Sequence, residues 1–373
     1  MKNKFFLNRH ADLIFIMLGN ECNNNCKYCL QHAMVEKALT KEINPDIYDF
    51  IEQVCNDLTD GSYLQLQFFG GEPLIYFENI KEIVVELNKR NLPIKYSCIT
   101  NGKAITKEIV NFLNNNDFNV CVSWDGYHTN ITRGIDVFKK ESTTRDLLFQ
   151  LNNVWISGVM CSYSYPAELA DAFEELDHDY LKLRNKHLYM NVDDIMDMGE
   201  MPDDVINLDF NRISNEVRDM TKEFIDDLVN KRMPDGHYAR NVYISERYNH
   251  LQNFYKKECN NEENRYKGMI CCCGNGYSTY NLDLKGNLYP CHNTSIPAGT
   301  IYDPYFKYLS NIIATDTTRL RRNTCKDCSA LYYCMGGCKM IPDNKREFYC
   351  KVKRAVAVPI IEELIKFNKG EDK

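Results

Sequence analysis

The run Asn20-Glu21-Cys22-Asn23-Asn24-Asn25-Cys26-Lys27-Tyr28-Cys29 follows directly on the apolar stretch Leu13 to Leu18. A short apolar run that ends in a polar, asparagine-rich loop reads as a strand delivering its C-terminal end to a site. Three thiolates at Cys22, Cys26 and Cys29 suit three irons of a [4Fe-4S] cube and leave the fourth iron open, which is where a substrate would bind.

Cysteine usage across the chain supports a metal reading. There are 17 cysteines in 373 residues, with no secretory signal and a first apolar run too short to span a bilayer. Disulfide-rich secreted scaffolds are usually far shorter, so these thiols are expected to ligate metal in a reducing, cytoplasmic compartment. A formal charge of −7 and a pI near 5.7 argue against a nucleic-acid surface. No membrane partner is expected either.

Working outward, strand and helix signals alternate as far as about residue 195. Strands are expected at Leu13 to Leu18, Tyr63 to Phe69, Ile94 to Ile99, Asn119 to Ser123, Val154 to Met160 and His187 to Val192. Helices are expected at Pro45 to Asp57, Glu78 to Lys89, Lys107 to Asn114 and Ala167 to Leu176. Such alternation gives parallel strands with right-handed crossovers, and six units suggest a partial (β/α)6 barrel of the TIM type. Residues 203–258 become polar and helix-patterned around the turn Met233-Pro234-Asp235-Gly236, which suits a solvated helical connector or a cover for the barrel's open side. The expected division is a barrel over 1–200, a connector over 201–258 and a cysteine-rich unit over 259–373.

Gly70 and Gly71 end the apolar run Leu66-Gln67-Phe68-Phe69, where a backbone without Cβ atoms can turn and approach a ligand. Glu72 offers a carboxylate for an ammonium, and Pro73 stiffens the exit. Ile99-Thr100-Asn101-Gly102 and Val122-Ser123-Trp124-Asp125-Gly126 close two further strands at the C-terminal ends, where parallel folds collect ligands.

The Cys-x3-Cys-x2-Cys run after a first strand, with Gly70-Gly71-Glu72-Pro73 after the second, resembles the signature of radical S-adenosylmethionine (SAM) enzymes. The resemblance implies that SAM chelates the open iron and is cleaved to a 5′-deoxyadenosyl radical. It also implies SAM contacts from Gly70, Gly71, Glu72, Pro73 and Asn101, with Ser123 on the ribose or carboxylate and Arg133 on the carboxylate. Tyr28 would lie over the cluster or the adenine, or simply pack.

The later pattern, Gly286-x4-Cys291, Cys325-x2-Cys328-x5-Cys334-x3-Cys338 and Cys350, is similar to the SPASM extension. Taken alone, Cys-x2-Cys and Cys-x3-Cys also suit a zinc ribbon, but the ligand count exceeds one zinc site. The resemblance implies three [4Fe-4S] clusters in all. One auxiliary cluster would sit on Cys325, Cys328, Cys334 and Cys350, and the other on Cys291, Cys338 and an upstream pair. That pair comes from Cys259, Cys271, Cys272 and Cys273; Cys271 and Cys273 are the expected ligands, although the sequence itself does not choose. Cys55, Cys98, Cys121 and Cys161 are left over, and Cys98 and Cys121 read as buried small residues within strands.

The activity implied is maturation of a peptide or protein substrate, leaving a crosslink, a thioether or another oxidised centre. A flavodoxin or ferredoxin is the expected reductant. Because the first strand begins within about a dozen residues of Met1, leader recognition is expected from a separate protein or another surface. The runner-up is an anaerobic sulfatase maturase, whose family places an Asp base directly after the Gly-x4-Cys cysteine. His292 stands there instead and is itself a candidate proton acceptor. A non-catalytic iron-sulfur electron-transfer protein is the remaining alternative.

Overall fold

The computed structural model describes residues 11–31, 41–199, 201–233, 236–259, 278–315, 325 and 327–370. The first strand, β1 (Leu13–Met17), is followed by α1 (Asp46–Asn56), β2 (Leu64–Phe69), α2 (Phe77–Lys89), β3 (Ile94–Thr100), α3 (Lys107–Asn115) and β4 (Asn119–Ser123). Two short helices, α4 (Thr129–Arg133) and α5 (Thr143–Phe149), precede β5 (Asn153–Met160), α6 (Pro166–Arg184) and β6 (Tyr189–Asp194). All six strands pair in parallel, in the order β6-β5-β4-β3-β2-β1.

The helices form because their apolar residues recur at helical spacing, and some, such as α3, are also capped by a side chain. In α1, Ile47, Phe50, Ile51 and Val54 share one buried face, and full burial of each such side chain contributes about 1.5–3 kcal/mol. Thr106 caps α3 by accepting from the Ile109 amide at 3.3 Å. Helix α6 runs past its expected end at Leu176 because Asp177, buried in the next turn, accepts from the Leu188 amide at 2.6 Å and bonds His187 Nδ1 at 2.7 Å. That carboxylate is satisfied inside the fold, so it does not end the helix.

Residues beyond the barrel form α7 (Asp203–Ile206), α8 (Phe210–Val229) and α9 (Tyr238–Cys259). They are more than a solvated connector. Ile213, Val217, Met220 and Phe224 of α8 are buried, and α8 packs against α6, α9 and α12 (Arg346–Lys369), the last helix of the chain. The segment 278–315 adds β7 (Thr279–Asp283), β8 (Asn287–Tyr289), β9 (Gly299–Thr300) and α10 (Tyr305–Thr315), and α11 (Leu331–Cys334) precedes α12. Strand β7 pairs in parallel with β1 and continues, antiparallel, into β8 and β9, so the sheet has nine strands and β1 lies inside it. Among the described residues no helix is long and apolar enough to cross a membrane.

Candidate functional site

The C-terminal ends of the parallel strands open onto a cavity of about 950 Å³. Its wall brings together Cys22, Cys26, Cys29, Tyr28, Gly70, Gly71, Glu72, Asn101, Ser123, Arg133 and His292. Pro73 stands just outside it, buried at the first position of a 3-10 turn that Glu72 caps.

The cysteine loop is fixed from several sides. Its entry crosses the glycine pair: Gly71 N–H donates to the Gly19 carbonyl at 2.8 Å and Glu72 N–H to the Glu21 carbonyl at 2.9 Å. A Cβ on Gly71 would stand 2.4 Å from the Glu21 oxygen, so the second glycine is required by this approach. Asn101 clips the middle of the loop, its Nδ2 donating to Asn23 Oδ1 at 2.7 Å, and Lys103 Nζ reaches the Asn23 carbonyl at 2.8 Å. Lys27 is held by Asp204 at 2.7 Å, and Gln31 Nε2 donates to Asn293 Oδ1 at 2.6 Å. That last bond ties the exit of the loop to the segment that carries Cys291.

Glu72 is buried, and its carboxylate is already in use. Oε1 accepts from the Leu74 amide at 3.0 Å and Thr100 Oγ1 at 2.6 Å, and Oε2 from the Asn101 amide at 2.7 Å. Burial pushes its pKa up, and these donors oppose the rise. Oε2 retains acceptor capacity on the cavity wall.

Tyr28 and Arg133 share one partner the sequence reading did not single out. Buried Asp125 accepts from the Tyr28 hydroxyl, from Thr132 Oγ1 at 2.6 Å, from the Val159 amide at 3.0 Å and from Arg133 Nε at 3.1 Å. The Arg133 guanidinium lies 5.3 Å from the Tyr28 ring centre. Tyr28 is therefore both a packed aromatic and an anchor of the loop. Burial pushes the Cys26 thiol up to about 11, and Arg133 is the main influence in the opposite direction.

His292 sits between two phenyl rings, 4.5 Å from Phe15 and 4.6 Å from Phe69 by ring centres. It lines the large cavity and a second one of about 400 Å³, whose wall includes Cys291, Cys334, Cys338, Tyr333 and Lys353. Asn191, Asp193, Asp194, Met196 and Asn293 also belong to both, so the two spaces adjoin. Lys353 Nζ is 2.6 Å from Asp194, which Arg247 approaches at 3.3 Å. No signal in the sequence marked Lys353 or Asp194, because their pairing joins α12 to β6 across 159 positions.

Cys325, Cys328 and Cys350 lie among the described residues without lining either cavity. Cys259 is the last residue of α9, while Cys271, Cys272 and Cys273 lie outside the described residues. Cys55, Cys98, Cys121 and Cys161 are buried, and burial pushes all four thiols up, Cys161 to about 11.

The donor set fits iron-sulfur clusters. Cys22, Cys291 and Cys338 each receive the backbone N–H of the residue two positions on, all at 3.4 Å. Hydrogen bonds of this kind stabilise a thiolate and tune a cluster's potential. Among the described residues no three ligands converge as they would on one ion. A cube places each thiolate on a different iron, so its ligands stand farther apart than those of a single ion.

Residues 16–142 match the Radical SAM superfamily. That segment is a radical SAM domain, and over most of its length the chain is similar to radical SAM enzymes of two named kinds. It is 24% identical over 361 residues to the radical SAM cyclopropyl synthase TigE of Paramaledivibacter caminithermalis, covering 90% of this chain and 69% of that one. It is also 24% identical over 365 residues to a cysteine-type anaerobic sulfatase-maturating enzyme of Clostridium perfringens, covering 88% of this chain and 90% of that one. Among solved structures, anSMEcpe with bound AdoMet and a Cp18Cys peptide superposes with a TM-score of 0.65 at 20% identity, over 96% of this chain and 99% of that one. SuiB of Streptococcus suis bound to its precursor peptide SuiA gives 0.56 at 15% identity, over 90% and 73%. These two likenesses establish the fold.

Proposed function

We propose that this protein is a cytoplasmic radical SAM maturase that abstracts hydrogen from a residue of a peptide or protein substrate and leaves an oxidative modification such as a crosslink or thioether. The observation that carries this reading is the adjoining of the two cavities, one lined by Cys22, Cys26 and Cys29 and the other by Cys291, Cys334 and Cys338. A substrate held at their junction faces both the site of hydrogen abstraction and a site that accepts an electron.

In this reading Cys22, Cys26 and Cys29 hold the SAM cluster. Cys325, Cys328, Cys334 and Cys350 hold one auxiliary cluster, and Cys291 and Cys338 the other, with Cys271 and Cys273. When bound at Cys22, Cys26 and Cys29, the first cluster would supply the chemistry of reductive SAM cleavage, giving a 5′-deoxyadenosyl radical. Glu72 Oε2 receives the methionyl ammonium; Arg133, its Nε given to Asp125, keeps its Nη groups for the carboxylate; Ser123 and Asn101 complete the SAM contacts. Residues 1–200, 201–258 and 259–373 serve as barrel, connector and auxiliary unit, and a flavodoxin or ferredoxin supplies electrons.

The near end-to-end match to a cysteine-type anaerobic sulfatase-maturating enzyme supports a second reading, formylglycine formation. There His292, on the junction of both cavities, takes the proton in place of an Asp. Anaerobic reconstitution with iron and sulfide, then dithionite and SAM, tests the shared part. The native chain should yield 5′-deoxyadenosine and the Cys22→Ala, Cys26→Ala, Cys29→Ala variant none; no product from the native chain at full iron content refutes both. Mass spectrometry of substrate peptides separates them, since formylglycine loses the cysteine sulfur and a crosslink or thioether keeps it.

A further inference from the structure

The β5 and β6 wall of the large cavity is polar where a barrel interior is normally apolar. Strand alternation places Trp155, Ser157 and Val159 on one face of β5, and the register sets Asn191 and Asp193 of β6 beside Ser157 and Val159. All five line the cavity. Ser157 Oγ donates to Asp193 Oδ2 at 3.1 Å, and Asn191 Nδ2 donates to Oδ1 at 3.1 Å.

Four carboxylates line the cavity, and Asp193 and Glu72 are the two with which no Lys or Arg among the described residues makes an ion pair. Glu21 lies 3.8 Å from Lys41, Asp194 takes Lys353 and Arg247, and Glu72 is capped by its three donors. Among the described residues, no Lys or Arg makes an ion pair with Asp193, whose side chain is open to the cavity. Enclosure by the barrel pushes its pKa up; the hydrogen bonds from Ser157 and Asn191 oppose the rise, Asp194 adds to it and Lys353 acts against it. Strand β6 is the edge of the sheet, separated from β2 and its glycine loop by β5, β4 and β3. Three strands therefore stand between this carboxylate and the loop of Glu72, while Ser157 is the register partner of Ser123, which is assigned to the ribose or carboxylate of SAM.

We propose that Asp193, with Ser157, Asn191 and Trp155, is the subsite for a cationic side chain of the peptide substrate, an ammonium or a guanidinium. The inference rests on the peptide-maturase reading above. An incoming cation would make the direct ion pair that Lys353, held by Asp194, does not make with Asp193, while Ser157 and Asn191 keep the carboxylate oriented and Trp155 offers an aromatic face to the alkyl stem or the charge.

Calorimetric titration of the anaerobically reconstituted, SAM-bound protein with three blocked alanine pentapeptides carrying lysine, norleucine or glutamate at the centre tests it. The lysine peptide should bind at least tenfold more tightly than the other two. Asp193→Asn should erase that preference and Asp193→Glu preserve most of it, with SAM affinity unchanged in both. The unfolding midpoint of Asp193→Asn, expected at or above that of the native chain, checks that the variant folds. Equal binding of the three peptides, or a preference that survives Asp193→Asn, overturns the subsite and leaves the maturase reading standing. A tenfold loss of SAM affinity in Asp193→Asn without peptide selectivity assigns the carboxylate to the nucleoside and overturns it as well. Binding of SAM with no binding of any peptide counts against the peptide reading, and the subsite falls with it.

Discussion

Asp125 concentrates more of the site than any residue the spacing of motifs points to. It neutralises Arg133, anchors Tyr28 inside the cysteine loop and caps the Val159 amide. Asp125→Ala strands a buried guanidinium, and we expect a loss of about 3–5 kcal/mol in urea denaturation together with reduced iron loading. Gly71→Ala acts on the same loop by another route, because its Cβ meets the Glu21 and Asn20 carbonyl oxygens at 2.4 and 2.5 Å. Displacing the loop by about 1 Å is expected to lower 5′-deoxyadenosine formation by as much as about a hundredfold, measured on protein of matched iron content. The cysteine and glycine motifs could be picked out because each is a local run, and the structure brings both to one cavity wall. Asp125 stood within a stretch already marked as a strand end, yet its role was hidden, since Tyr28 is 97 positions away.

The elements of the barrel were legible to within a residue or two wherever apolar periodicity and a turn residue agreed, as at β4 and α3. Helix α12 was not, because a tail after the last cysteine carries no motif, and its apolar face is explained only by α8 lying against it. Its link to the barrel is Lys353, which pairs with Asp194 at the end of β6. Burial alone would raise the Asp194 pKa, but Lys353 and Arg247 overcome it and hold the carboxyl below its usual range. A depressed carboxylate contributes stability above its unfolded value, and that stability is lost as pH falls through the folded one. Lys353→Met should cost about 1–3 kcal/mol near neutrality, with Arg247 limiting the loss. The gap to the native chain should narrow as pH drops below about 4, as urea denaturation across a pH series would show.

At the scale of the whole molecule, the cavities, the cysteine loop and the helical cover act as one body only if the first cluster site completes the barrel mouth. Saturating SAM, at about a hundred times its Kd, should then raise the unfolding free energy of reconstituted protein by about 2.7 kcal/mol. The triple cysteine variant should show no such gain; an equal gain would place the nucleotide elsewhere. The pairing of β1 with β7 has a consequence for how the chain is made. The Leu13 amide donates to the Ser278 carbonyl at 3.2 Å, so the strand that feeds the first cysteine loop keeps one open edge until more than two hundred further residues have been synthesised. A ribosome stalled before that point holds a nascent chain whose first cysteine loop hangs from an unfinished sheet. A fragment ending before β7 should aggregate where the full chain stays dispersed, as light scattering of the two would show.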